Sequence, residues 1–279
     1  MGRLATHLKI WLAEPLTRGL DLDDPRTTEL RREILRRKTF LRKIYAEWYA
    51  AIAAAVPAGD APVLELGSGA GFLKDHIPEA ITSDVFPCPG VDRVVDAQRL
   101  EFATGSLKAI VMIDVLHHLP QVRRFFAEAA RCVRPGGVVV MIEPWITAWS
   151  KFVYARLHHE PFDTAARQWE FPLSGPLSGA NGALPWIVFR RDRAQFEREF
   201  PEWRIQSVAP RMPMRYLLSG GMSVRSLVPG WTFGVWRWAE GALGPLMDYL
   251  AMFALIVLSR TDAAPAHRES PEETTCRPR

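Results

Sequence analysis

Apolar positions near the start of the chain recur at helical spacing. Leu30, Ile34, Leu41, Ile44, Tyr45 and Trp48 fall on one side of a 3.6-residue period, so residues 26–54 are expected to form one amphipathic helix or two in succession. Pro57, Gly59 and Pro62 end that pattern. Short unbroken runs of Val, Ile and Leu follow. Residues 63–66, 80–83, 93–95, 109–113 and 138–142 read as strands, with helical stretches starting near 71–76 and spanning 122–133. Runs without polar alternation mark strands covered on both faces, as in parallel sheets. Strands alternating with helices imply right-handed βαβ units and an α/β doubly wound sheet.

The rhythm breaks after Glu143. Residues 144–191 are rich in Trp, His, Pro and Gly and read as an insertion. A helix at 193–200 and a strand at 204–208 restore regular structure. A second excursion covers 210–250, and 252–258 reads as a last strand. Residues 261–279 are polar and contain proline, the composition of a disordered tail.

Charge and cysteine usage narrow the classes. The net charge of +4 does not by itself imply nucleic-acid binding. The basic excess is local: Arg31, Arg32, Arg36, Arg37, Lys38, Arg42 and Lys43 are opposed nearby only by Glu29 and Glu33. A solvated helix face is one reading; contact with an anionic membrane surface or an acidic substrate is the other. Cys88, Cys132 and Cys276 are scattered without C-x-x-C spacing, which argues against a disulfide framework or zinc site and suits a cytoplasmic protein. Lys9 and Glu14 interrupt the first apolar positions, so no signal peptide is expected. The apolar stretch 242–258 is short and holds Pro245 and Asp248, so no transmembrane helix is expected.

The candidate chemistry begins at Gly67, Gly69 and Gly71, which follow the first strand at alternate positions. Residues without Cβ let a chain turn tightly and bring its N–H groups against a ligand. A helix starting near Phe72 would add a dipole that favours an anion there. Phe72 occupies the position where the pyrophosphate fingerprint G-x-G-x-x-G needs glycine, which points from a dinucleotide to a nucleoside with a compact charged tail. Asp84 closes the second strand, where an acid can accept hydrogen bonds from both ribose hydroxyls; a turn-initiating Asp before Pro87 is the plainer reading.

The segment Val63–Leu66 with its glycine turn resembles the first motif of class I S-adenosylmethionine-dependent methyltransferases. Asp96-Ala97, the run Ile113-Asp114-Val115-Leu116-His117-His118-Leu119-Pro120 and the turn Arg134-Pro135-Gly136-Gly137 resemble later segments of that family in the correct order. The resemblance covers residues 60–145. It implies a mostly parallel seven-stranded sheet with an antiparallel last strand, a cofactor-binding core at 60–145, and a helical and loop cap from 1–59, 146–191 and 210–250, with the sheet completed within 192–260. S-adenosylmethionine is the implied cofactor. Glu65, Gly67, Ser68, Gly69, Gly71, Asp84, Asp96, Ala97 and Asp114 are its implied contacts, with Asp96 at the adenine amino group and Ala97 at the ring.

Candidate catalytic groups are His117, Tyr154 and His158. Imidazole suits general-base work near neutral pH, and Tyr154 and His158 share one face of a helix at i, i+4. His117 and His118 can equally position the loop after strand four. No metal site is expected, since no carboxylate stands at ligand spacing from these histidines. Residues 177–186 are too flexible for a regular element and read as a loop closing over substrate or as a connector. Seven of the tryptophans (Trp145, Trp149, Trp169, Trp186, Trp231, Trp236 and Trp238) lie in the two excursions, as a pocket wall, a surface that meets lipid or a plain roof.

The expected function is methyl transfer to a small or lipid-like acceptor at oxygen, in the cytoplasm or at the inner membrane face. The Asn/Asp-Pro-Pro-Tyr/Phe motif of methyltransferases acting on bases or glutamine is absent after strand four, so nucleic acid is not the expected partner. A methyltransferase of RNA or protein docking through the basic helix, and a non-catalytic interaction protein with this fold, are the alternatives.

Overall fold

Four consecutive buried residues, Val63–Leu66, form β1 in a seven-stranded sheet of order β3-β2-β1-β4-β5-β7-β6. The other strands are β2 (Ile81–Asp84), β3 (Arg93–Val94), β4 (Leu107–Ile113), β5 (Val133–Pro144), β6 (Trp203–Arg211) and β7 (Phe253–Arg260). Strands β1 to β5 pair in parallel, and β7 runs antiparallel to both β5 and β6. The computed structural model describes residues 14–17, 26–157, 161–172, 175 and 179–263.

Helices cover both faces, which is why the central strands need no polar alternation. On one face α3 (Val122–Cys132) buries Val122, Phe125, Phe126 and Ala129, and the Phe126 ring meets Phe196 and Phe200 at 5.0 and 5.3 Å. On the other, α1 (Arg26–Arg37) and α2 (Thr39–Ala55) lie against the sheet, with the buried Trp48 5.0 Å from Phe253. The helical period at 26–54 is therefore two helices, broken at Lys38. The Lys38 ammonium is buried, pairing with Glu14 at 3.1 Å and donating to the Gly221 carbonyl at 2.9 Å; burial holds its pKa below the usual lysine range.

The remaining helices are α4 (Ala148–Leu157), α5 (Leu184–Trp186) continuing into a π-helix at Ile187–Arg191, α6 (Arg193–Glu199), α7 (Arg215–Ser219), α8 (Phe233–Ala242) and α9 (Met247–Leu250). Arg215 of α7 ties its own helix to α2 and α8. Its Nη1 and Nη2 donate to Glu47 of α2 at 2.7 and 2.8 Å, and its Nε donates to the buried Glu240 of α8. Among the described residues no helix is long and apolar enough to cross a membrane.

Two local expectations fail for physical reasons. No α-helix follows β1: the segment expected as its start holds a single 3-10 turn, Leu73–Asp75. Only residues 72–80 separate the glycine turn from β2, and Pro78 lies among them. Helix α2 covers the gap instead, with Tyr49 edge-on to Phe72 at 5.1 Å. The helix dipole expected at the glycine turn is thus missing. Strand β5 begins at Val133 rather than 138, because Gly136 (φ +78°) allows a bulge between the pairs Leu107–Val133 and Ala109–Val138. Pro135 lies within that strand, and α3 ends before it at Cys132.

Candidate functional site

The strand order reverses between β1 and β4, which opens a crevice at the carboxyl edge of the sheet. A cavity of about 610 Å³ lies there, within the range of roughly 300–1,000 Å³ common for small-molecule sites. Every residue expected to touch the cofactor, from Glu65 through Asp114, borders this cavity.

The glycine turn forms its floor. Gly67 and Gly69 have φ of +65° and +31°, a region that side chains disfavour. A Cβ on Gly67 would stand 2.4 Å from Val115 Cγ2, and one on Gly71 2.0 Å from the Tyr49 hydroxyl. Ser68 staples the ends of β1 and β2, its N–H donating to Ser83 O at 2.7 Å and its Oγ accepting from Ser83 N at 3.0 Å. Asp84 steadies the turn by accepting from Gly69 N through Oδ2 and from Phe86 N through Oδ1, both at 3.1 Å. Burial raises the pKa of this carboxyl. Each oxygen keeps a lone pair for a ligand hydroxyl. Asp96 accepts from Gln98 N at 2.8 Å beside the buried Ala97.

Glu65 is the anomaly of this floor. It is 3 % exposed, and its Oε2 has no hydrogen-bond partner. Burial pushes the carboxyl up to about 7. An unsatisfied buried carboxylate oxygen on a cavity wall asks for a cationic or donating ligand group. A cation binding there stabilises ionised Glu65 and expels its proton, so affinity for such a ligand is expected to fall about tenfold from about pH 8 to pH 6. Glu65→Gln is expected to flatten that profile. A profile equally steep in the variant assigns the proton elsewhere. The stability sign is opposite: without ligand, the raised carboxyl favours folding below the ordinary carboxylate range, and that contribution is lost as pH rises through about 7.

A second polar group, His117, borders the same cavity. His117 is 1 % exposed, and its Nδ1 lies 2.8 Å from Oε2 of the fully buried Glu143 at the end of β5. Oε1 of Glu143 accepts from Val115 N at 2.9 Å and Leu116 N at 2.8 Å, so one carboxylate clamps the loop after β4 and orients the imidazole. This pairing sets the tautomer with the proton on Nδ1 and makes Nε2 the basic nitrogen. Asp114, in left-handed conformation (φ +59°), stands nearby, and ligand atoms of Asp114, His117 and Glu143 lie within 4.8 Å of one another. The spacing argument against carboxylate neighbours of His117 is thus overturned, because strand pairing brings together what sequence separates.

The other catalytic candidates are placed differently. Tyr154 borders the cavity, and its hydroxyl donates to Met252 O at 2.7 Å. His158 lies outside the described residues. His118 packs 4.2 Å from His117, with its Nδ1 3.1 Å from Gly179 O. Asn181 N donates to His117 O at 2.9 Å, so the described part of the flexible run 177–186 lies against the histidine pair.

Several residues around the cavity went unmarked in the sequence. Glu143, buried behind His117, stands one residue before the end of β5, much as Asp84 ends β2, and that position was its available signal. Thr28, Arg31, Tyr45 and Tyr49 reach the cavity from α1 and α2; in the sequence Tyr45 reads as core by its helical spacing and Arg31 as part of the basic run. The basic run is accordingly not one solvated face. Arg31 borders the cavity, Arg32 donates to Gly69 O at 2.7 Å, and Lys38 is buried. Among the described residues no tryptophan lines the cavity, whose aromatic wall is Tyr45, Tyr49, Tyr154, Tyr216 and Phe253. Trp145, Trp169 and Trp203 are core, while Trp231 and Trp238 stand on the surface.

Residues 75–141 match the family model of a methyltransferase domain. A geranyl diphosphate C-methyltransferase from Streptomyces coelicolor A3(2) is similar in structure, at 14% identity over 90% of this chain and 92% of that one, with a TM-score of 0.49. An S-adenosylmethionine-dependent methyltransferase from Mesorhizobium loti shares 18% identity over 77% and 98% of the chains, with a TM-score of 0.43. A putative methyltransferase complexed with the Trm112 activator of Haloferax volcanii gives 12%, 84%, 99% and 0.47 for the same measures. No curated protein matches the sequence.

Proposed function

We propose that this chain, which carries a class I S-adenosylmethionine-dependent methyltransferase domain, methylates a small or lipid-like molecule at a hydroxyl oxygen, with His117 as the base. The observation that carries the reading is His117, which borders the cavity whose floor is the glycine turn and is held from behind by the fully buried Glu143.

The cavity residues fit the cofactor. Bare backbone at Gly67 and Gly69 suits its methionine end, the unpartnered Glu65 oxygen suits its ammonium, and the remaining lone pairs of Asp84 suit the ribose. When bound, S-adenosylmethionine supplies an electrophilic methyl group on a sulfonium and leaves as S-adenosylhomocysteine. His117 accepts the acceptor's hydroxyl proton at Nε2 as the oxygen attacks, and Glu143 stabilises the resulting imidazolium through Nδ1. The tyrosines and Phe253 give the acceptor an apolar seat and keep water out.

Calorimetric titration of S-adenosylhomocysteine tests the cofactor part. Asp84→Ala is expected to weaken binding roughly 10- to 100-fold, the worth of hydrogen bonds to a charged group at about 1.5–3 kcal/mol. Gly69→Arg is expected to remove binding, because even a Cβ there would stand 3.1 Å from Asp84 Oδ2 at φ +31°. Unchanged affinity in both variants would sink the assignment.

A further inference from the structure

Helix α8 is apolar on both sides. Its inner face sets Phe233 edge-on to Phe40 at 5.3 Å, packs Trp236 against the core and buries Glu240 against Arg215. Positions 233, 236 and 240 follow one stripe of the helix. The opposite stripe carries Val235 and Trp238, 64% and 76% exposed, in line with Trp231 at 80% just before the helix. Beyond the end of α8, Leu246 and Tyr249 of the following turn and α9 are also exposed, 48% and 65%. A soluble surface does not need two large indoles in water, and large exposed apolar side chains gathered on one short stretch of chain mark an interaction site.

We propose that this face seats the protein on an anionic lipid bilayer. Three observations select that occupant over a protein partner. The exposed rings are Trp and Tyr, whose apolar bodies and polar N–H or O–H groups suit the headgroup boundary. Cations rim the patch: Lys43 donates to Gly230 O at 3.0 Å beside Trp231, and the exposed Arg237 projects from α8. The acids nearby are few. Glu240 is buried against Arg215 and Glu47, one-third exposed, pairs with the same guanidinium, which leaves Asp248 as the exposed acid within the segment. The helix itself is far too short to span, so it lies in the interface plane. This membrane seating is independent of the acceptor's identity, because vesicle binding is read without turnover.

Flotation of the full chain with vesicles tests it. At low ionic strength the protein is expected to float with an equal mixture of phosphatidylcholine and phosphatidylglycerol, and much less with phosphatidylcholine alone. Trp231→Ser with Trp238→Ser is expected to lower the bound fraction at least about tenfold, since two indoles are withdrawn from the interface. S-adenosylhomocysteine affinity of that double variant is expected to match the parent, which shows that it folds. Lys43→Ser with Arg237→Ser is expected to weaken binding to the anionic vesicles selectively. The proposal is overturned if the parent does not float, or if the tryptophan variant floats equally well. A dimer in sedimentation that depends on the two tryptophans, without vesicle binding, also overturns it and makes a second copy the occupant.

Discussion

His117→Ala is expected to slow methyl transfer about 10²- to 10⁴-fold while leaving S-adenosylhomocysteine affinity within about threefold, the range for loss of a positioned general base. The measurement is the rate at which label from methyl-labelled S-adenosylmethionine enters its acceptor. Glu143→Gln sharpens the test. Glutamine keeps an oxygen for the Val115 and Leu116 N–H groups but presents an amide N–H to Nδ1. The imidazole must then carry its proton on Nε2, where the base is needed, so a slowing of the same order is expected with the loop intact. A purely structural pair would lose thermal stability in both variants with little change in rate per folded molecule. Turnover of His117→Ala within about threefold of the parent would contradict base catalysis.

The largest effect on stability is expected at Arg215. Its guanidinium is 5% exposed as a side chain and pairs with Glu47 and the buried Glu240. Arg215→Met strands two carboxylates, one of them fully desolvated, and is expected to cost about 3–5 kcal/mol. At roughly 2–4 °C per kcal/mol for a chain near this size, the melting temperature is expected to drop by about 10 °C. Adding Glu47→Gln and Glu240→Gln removes the stranded charges, so the triple variant is expected to recover part of the loss. Because Arg215 joins α2, α7 and α8, cofactor binding is expected to weaken with it. A change below about 1 kcal/mol in calorimetric or denaturant unfolding would show that these groups are hydrated rather than buried.

Strands β1, β4 and the later part of β5 were legible because each is covered on both faces and writes a largely apolar run, with Asp84 and Asp114 near carboxyl ends where the crevice opens. The floor of the cavity was legible for the same reason: glycines and strand-end acids keep fixed positions relative to those runs. The missing helix after β1 was not legible, since residues 71–76 carry no marker for the competing cover that α2 provides. His117 and Glu143 were invisible as a pair. They are 26 positions apart and meet only because β4 and β5 lie side by side. The tryptophans misled for a different reason. An indole suits a core, a pocket or an interface equally well, and only packing separates Trp169, 1% exposed, from Trp231 at 80%.

The most direct measurement is the distribution of label after incubating the protein with methyl-labelled S-adenosylmethionine and fractionated host extract. Label is expected in a small-molecule or lipid fraction as an alkali-stable methyl ether, and its rate of appearance is expected to fall at least about tenfold with Asp84→Ala and about 10²- to 10⁴-fold with His117→Ala. Label confined to RNA or protein, or absent from every fraction while S-adenosylhomocysteine still binds, would contradict methyl transfer to a small hydroxyl acceptor.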